Sequence, residues 1–288
     1  MICRRRFLTI AASMAAAPAL GATHHWNGYA LGAQVHVALN GLRRDVDLLM
    51  ANIQAQLIRI EHQFSLYNPT SQLVRLNDQN HLEGLSPDWI TLLDQVDRLY
   101  MDTGGLFDPS IQTLWHHRTA GRDSTAGFGW NKVQRSPNAL QLVRGQRISL
   151  NGIAQGYATD MICDYLRTHG ATDTLVNIGE HAAIGGPFQL GLEDPDHGLM
   201  GHITLNNQAV ATSSPNASSV AGQPHIMHPN AQAQWSTVSV TATNATLADG
   251  LSTALTLAHH DDIRQIVKRF PEVTRIVLVE PSGDLITL

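Results

Sequence analysis

The chain has 288 residues, a hydrophobic share of 43% and a formal charge of -5. That length suits one large domain or two small ones, and the acidic balance excludes duplex nucleic acid as a partner, because such binding needs a dense basic face. Of the two cysteines, Cys3 falls in an N-terminal leader and Cys163 is then alone, which excludes an internal disulfide.

Met1 to Ala22 reads as an export leader. Cys3-Arg4-Arg5-Arg6-Phe7-Leu8 has the twin-arginine form, and an alanine-rich apolar run from Phe7 to Leu20 follows it. Cleavage is expected after Ala19 or Gly21, and the run is too short for a comfortable membrane span. Losing Arg4, Arg5 and Arg6 with the leader takes the formal charge from -5 to -8. No cysteine follows the apolar run, so a periplasmic protein without a membrane anchor is expected.

The alternation of Val35, Val37 and Leu39 against Gln34, His36 and Ala38 predicts a strand over Ala33 to Asn40. Leu49, Ile53, Leu57, Ile60 and Phe64 at helical spacing predict an amphipathic helix over Val46 to Phe64. Asn68-Pro69 makes a turn, Ser71 caps a short second helix, and a third runs from Pro87 to Thr103 and stops at Gly104-Gly105. His116 to Trp130 reads as a surface loop, and Leu140 to Val143 with Arg147 to Leu150 as a hairpin around Gly145. A helix is expected from Ala154 to His169, with Ile153, Tyr157, Met161 and Leu166 as its buried stripe.

Strands follow at Leu175 to Ile178, Phe188 to Leu192, His202 to Leu205 and Ala209 to Ala211, then a polar loop from Pro215 to Gln234. The last third reads as strand (Val238 to Thr241), helix (Ala245 to Ala258), helix (Asp261 to Arg269) and strands at Arg275 to Val279 and Leu285 to Leu288. Strands mixed with unevenly spaced helices, and no short-period repeat, predict a single α+β domain.

Four places draw attention as chemistry. Ser149 to Gly186 carries small residues and glycines at strand-helix and strand-turn junctions, where a backbone can approach a phosphate or ring closely; two ordinary turns explain the same glycines. Asp249 and Thr253 stand four apart, so on a helix their oxygens share a face. That pair suits a hard cation such as magnesium, and equally a carboxylate hydrogen-bonded to a threonine. Pro224-His225-Ile226-Met227-His228-Pro229 offers a histidine base near a phosphate, or two polar loop histidines. Glu193-Asp194-Pro195-Asp196 reads as a charged turn.

These pieces add up to a resemblance. Ser65, Ser71 and Arg75-Leu76-Asn77, then Gly105-Leu106-Phe107-Asp108-Pro109-Ser110 and Leu150-Asn151-Gly152-Ile153-Ala154-Gln155-Gly156-Tyr157-Ala158-Thr159-Asp160 come first. Leu175-Val176-Asn177-Ile178-Gly179, Gly191-Leu192-Glu193-Asp194-Pro195, Ala211-Thr212-Ser213, the His225 segment and Ala248-Asp249-Gly250-Leu251-Ser252-Thr253-Ala254 follow. In that order, over nearly the whole chain after the leader, they resemble the bacterial FAD:protein FMN transferases, the ApbE family.

The resemblance implies one α+β domain over 23–288 with mixed, largely antiparallel sheets, internal duplication and packed helices. It implies an enzyme that binds FAD and Mg2+ and moves FMN through its phosphate onto a threonine or serine hydroxyl of an exported or membrane redox protein, releasing AMP. Carried over by motif, Asp249, Thr253 and the main-chain carbonyl of Ala158 hold the metal, and His225 is the base for the incoming hydroxyl. Leu31, Ser71, Asp108, Gln155, Gly156 and Gly179 bind the flavin nucleotide.

The chain departs from the family pattern at several positions. Gln155 replaces a charged residue, usually lysine; Glu180 replaces the second of two glycines; and His228 replaces the aspartate of His-x-x-Asp-Pro. Ser110 stands for a threonine and Gln112-Thr113 for Gly-Pro. These departures keep two other readings open: a protein of the same fold that binds or hydrolyses FAD without transfer, and a non-enzymatic exported scaffold for a redox partner.

Overall fold

A computed structural model of the protein describes residues 23–40 and 46–288, and the expected leader lies outside the described residues. The described residues open with a hairpin, β1 (Thr23–Ala30) and β2 (Ala33–Asn40), whose two turn residues, Leu31 and Gly32, both have positive φ. That backbone matches the twist of antiparallel strands. Three helices follow, α1 (Val46–Phe64), α2 (Gln72–Gln79) and α3 (Pro87–Asp102), with the short strand β3 (His81–Glu83) between the last two. Ser71 and Ser86 cap α2 and α3 through hydroxyls that accept from Val74 N and Trp89 N.

Then come α4 (Ile111–Thr119), β4 (Gln134–Arg135), β5 (Ala139–Gln141), α5 (Ala154–Thr168), β6 (Thr174–Ile178) and β7 (His181–Ile184). The last third holds β8 (Phe188–Asp194), β9 (Gly198–Leu205), β10 (Ala209–Ser213), β11 (Ser219–Val220), β12 (Gln223–Pro224) and β13 (Thr237–Ala242). It closes with α6 (Ala245–Leu255), α7 (His260–Val267), β14 (Val273–Val279) and β15 (Leu285–Thr287).

One antiparallel sheet of eight strands, in the order β1-β2-β6-β7-β10-β13-β14-β15, organises the molecule. Successive side chains of a strand face opposite sides, so the sheet feeds two cores. Val176, Ile178, Val238 and Val240 pack with α1, α3, α5 and α6 in the larger one. Leu175, Val210 and Val277 pack on the other face beneath the β8–β9 hairpin. The fold is therefore the expected α+β class, helices on one side of the sheet and a hairpin on the other. Among the described residues no helix is long and apolar enough to cross a membrane.

Two sequence expectations fail locally. Arg147 to Leu150 forms no strand; β5 pairs instead with β3 and β4. Side chains satisfy the backbone that a hairpin partner would have satisfied: Thr113 Oγ1 bonds Arg147 N and O, and the Asn77 amide bonds Ile148 N and O at 2.7 and 2.9 Å. This holds Ser149 to Gly152 in place for the site. The segment from His116 is helical as far as Thr119, because α4 continues through two histidines and an arginine that suit a helix C-terminus. The strands β1 and β7 also went unread, the first because it abuts the leader, the second because His181-Ala182-Ala183-Ile184 is buried on both faces and shows no alternation.

Helices α5 and α6 cross at Gly156. A Cβ built there would stand 2.3 Å from the Ala245 carbonyl oxygen and 2.8 Å from Asp249 Cβ, so any side chain would force the helices apart. Gly156→Ala is predicted to lower folding stability by roughly 1–3 kcal/mol, the cost of overpacking a filled core. Urea denaturation measures it, and an unchanged midpoint would contradict the crossing.

Candidate active site

A cleft of about 260 Å³ opens where β6, β7 and β10 end beside α5 and α6. Six of the residues picked out by motif line it: Asp108, Gln155, Gly179, His225, Asp249 and Thr253. Four do not reach its lining. Ser71 is committed to capping α2 and donates to Ser65 O at 2.6 Å. Leu31 sits in the β1–β2 turn and meets the site only through its carbonyl, 3.5 Å from Gln155 Nε2. Gly156 serves the helix crossing. Ala158 lies inside α5, fully buried, where a carbonyl belongs to the helix ladder.

The two helices are locked together by carboxylates. Asp160 of α5 accepts from Ala245 N at 2.7 Å and Thr246 N at 2.8 Å, capping the first turn of α6 from outside its own sequence. In the other direction, Gly156 N donates to Asp249 Oδ2 at 3.0 Å. Burial pushes the Asp160 carboxyl up, opposed by the bonds from Thr246 and Ala245. One turn beyond Asp249, Thr253 Oγ1 lies 3.3 Å from Ser213 Oγ, which is 2.8 Å from Ser252 Oγ. A carboxylate and hydroxyls from α6 and β10 thus converge on one wall, all of them hard oxygen donors.

The β6–β7 turn makes the opposite wall. Asn177 Oδ1 accepts from Gly179 N at 3.0 Å, and Gly179 has φ +90°, with Gln155 Cδ where its Cβ would be, at 2.7 Å. Only glycine fits there, and Gln155 lies across it. Glu180 turns inward and accepts from Thr212 N at 3.3 Å, where the pairing of β7 with β10 has ended. Its charge therefore serves as a backbone cap at the cleft. Next to it, His181 is buried, lines the cleft and has no partner at Nδ1 among the described residues. Burial, aided by His36, lowers its pKa to about 4, so the ring is neutral.

Asp108 is mostly spent on its own loop: Oδ1 accepts from Ser110 N and Oγ at 2.8 and 2.6 Å, and Oδ2 from Trp130 N at 3.0 Å. Burial raises its pKa against those bonds. His225 is aimed by two carbonyls, Pro215 O at 2.9 Å and Ser218 O at 3.2 Å, both facing Nδ1. Two acceptors at Nδ1 assign the proton there and make Nε2 the basic nitrogen. Trp115 Nε1 donates to His225 O at 3.0 Å and pins the same segment. His228 lies outside the lining, against Phe128 with ring centroids 5.3 Å apart.

Among the described residues the lining contains three carboxylates, on Asp108, Glu180 and Asp249, and neither lysine nor arginine. Ser213 belongs to the Ala211-Thr212-Ser213 motif but carried no assigned role, and Ser214, Ser218 and Trp115 lie outside the motifs. The run Thr212-Ser213-Ser214 at a strand end was the available signal, since hydroxyls there have no hydrophobic reason to be buried.

The ApbE family model matches residues 31–278. A Haemophilus influenzae protein named FAD:protein FMN transferase is 22% identical over 272 residues, 80% of this chain and 78% of that protein. A Klebsiella pneumoniae protein of the same name is 36% identical over 72 residues, 24% of this chain and 23% of that one. Among solved structures, the flavin transferase ApbE from Vibrio cholerae shares the fold, with TM-score 0.79 and 20% identity over 93% of this chain and 97% of that chain.

The neutral, enclosed His181 gives a pH prediction. Its folded pKa lies below the unfolded value, so the unfolded chain binds the extra proton first, and stability falls as pH drops from about 6.5 toward 4. The loss from this one group is about 2 kcal/mol between pH 7 and 5. Urea titrations at the two pH values measure it, and His181→Phe should remove most of that difference.

Proposed function

This chain belongs to the ApbE family, and from that premise we propose that it is a flavin transferase moving FMN from FAD onto a serine or threonine hydroxyl of an exported or membrane redox protein, with Mg2+, releasing AMP. The twin-arginine leader supports a periplasmic site of action. The observation that carries the reading is the composition of the cleft: Asp249, Thr253, Gln155 and His225 meet in one cavity whose described lining has three carboxylates and neither lysine nor arginine. A dinucleotide pyrophosphate entering such a cavity needs a cation that the described lining does not supply.

Asp249 and Thr253, with Ser213 beside them, fit a hard divalent ion and would hold it. Bound there, Mg2+ would neutralise the pyrophosphate and the charge that develops on departing AMP. Gln155 and the backbone at Gly179 face the nucleotide without adding charge. His225 Nε2 accepts the proton of the target hydroxyl as its oxygen bonds to the FMN phosphorus and the bond to the AMP oxygen breaks. The carbonyls of Pro215 and Ser218 favour the imidazolium so formed, because its Nδ1–H points at them.

Incubating the protein with FAD, Mg2+ and a periplasmic flavoprotein subunit, then measuring in-gel flavin fluorescence, tests the reading. Covalent flavin on the subunit is the expected result. Release of AMP and FMN without labelling supports the hydrolytic alternative, and absence of FAD binding supports the scaffold. His225→Ala is predicted to slow transfer by about 10²–10⁴-fold while FAD binding persists. Asp249→Ala or EDTA should abolish AMP release; metal-dependent release that survives Asp249→Ala would refute the metal assignment.

A further inference from the structure

Glu193-Asp194-Pro195 reads in the sequence as a charged turn, yet Asp194 is buried and its carboxylate is fully engaged. Oδ1 accepts from the backbone of Asp196 and His197 at 2.9 and 3.0 Å. Oδ2 accepts from Ser236 Oγ at 2.7 Å and Thr237 Oγ1 at 2.6 Å. Burial alone would raise its pKa, but four donors on one carboxylate outweigh that, favour the ionised form and hold the pKa below the usual carboxylate value, so it only accepts.

That fixes the direction of the next bond. Thr237 has one hydroxyl proton and gives it to Asp194, so in the 2.6 Å contact between Ser214 Oγ and Thr237 Oγ1 the donor is Ser214. Ser214 precedes the 3-10 turn Pro215–Ala217, where a serine commonly caps, but its hydroxyl makes no cap bond. It is 3% exposed and lines the cleft. Its proton is spent inward, and what it can offer a ligand is lone pairs.

We infer that Ser214 is a hydrogen-bond acceptor for an N–H group on a heterocycle of the bound flavin nucleotide, and that Thr237 and Asp194 hold it in that polarity. The inference rests on the flavin-nucleotide reading of the cleft. A phosphate, which brings only acceptors, is repelled by such a hydroxyl, whereas the adenine amine and the isoalloxazine imide N–H are both complementary to it.

Calorimetric titration of the purified protein with FAD in Mg2+, alongside thermal melts, tests it. Ser214→Ala and Thr237→Val are each expected to weaken FAD binding about tenfold, the scale of one neutral hydrogen bond. Thr237→Ser, which keeps the relay, and Ser236→Ala, which removes a bond to Asp194 outside the relay, are expected to bind like the parent protein. Loss of affinity with Ser236→Ala as large as with Thr237→Val would mean a merely structural network and overturn the inference. So would unchanged binding in Ser214→Ala. Titrating Ser214→Ala with ADP and with FMN identifies the heterocycle: weakening confined to ADP assigns the adenine amine, weakening confined to FMN the flavin imide, and weakening of neither overturns the inference. A parent protein that binds no FAD overturns the functional reading as well, while tight parent binding insensitive to Ser214→Ala overturns this one alone.

Discussion

The hydrogen bond from Gly156 N to Asp249 Oδ2 depends on two helices lying closer than any side chain would allow. Asp160 closes the same crossing from the other side by capping α6. Together they fix where α6 starts, how it is rotated and how near it stands to α5. Asp249 and Thr253 then have one place to point, four residues apart on the face turned toward β10. Each wall of the cleft inherits its position from this junction: Gln155 precedes Gly156 on α5, and Ser213 reaches Thr253 across the gap. The carboxylate that joins the helices is also the one proposed to hold the metal.

Charge and hydrogen-bond direction then decide what the cavity accepts. Among the described residues the lining has carboxylates and neither lysine nor arginine, a composition that disfavours a bare polyphosphate and suits the proposed magnesium complex. His225 presents its basic nitrogen because backbone carbonyls occupy the other one. The Asp194 relay works by the same logic with a neutral hydroxyl, since a carboxylate that can only accept dictates the polarity of every hydroxyl chained to it. Glu180 and Gln155, the two departures from the family pattern that reach the cleft, are absorbed structurally. Glu180 caps Thr212 N and Gln155 lies against Gly179.

Much of this was legible in the sequence, for reasons that differ by element. The helices of Val46 to Phe64 and Ala154 to Thr168 carry a one-sided apolar pattern, and periodicity located them almost to the residue. Asp249 and Thr253 were legible as a pair because helical spacing alone puts them on one face. The false hairpin at Arg147 to Leu150 was not avoidable by pattern, since Asn77 and Thr113, distant in sequence, take the place of a partner strand. Asp194 was invisible for the same reason. A charged turn and a buried relay have the same local sequence, and only Ser236, Thr237 and Ser214, brought in by β13 and the end of β10, tell them apart.

If Asp249 and Thr253 hold the metal as proposed, this cleft takes a flavin dinucleotide only together with a divalent cation. Fluorescence titration of the protein with FAD, in Mg2+ and again in EDTA, tests it most directly. Saturable binding that requires Mg2+ is the predicted result. Equal affinity in EDTA would show that the protein neutralises the pyrophosphate by other means and would rule out that role for Asp249 and Thr253.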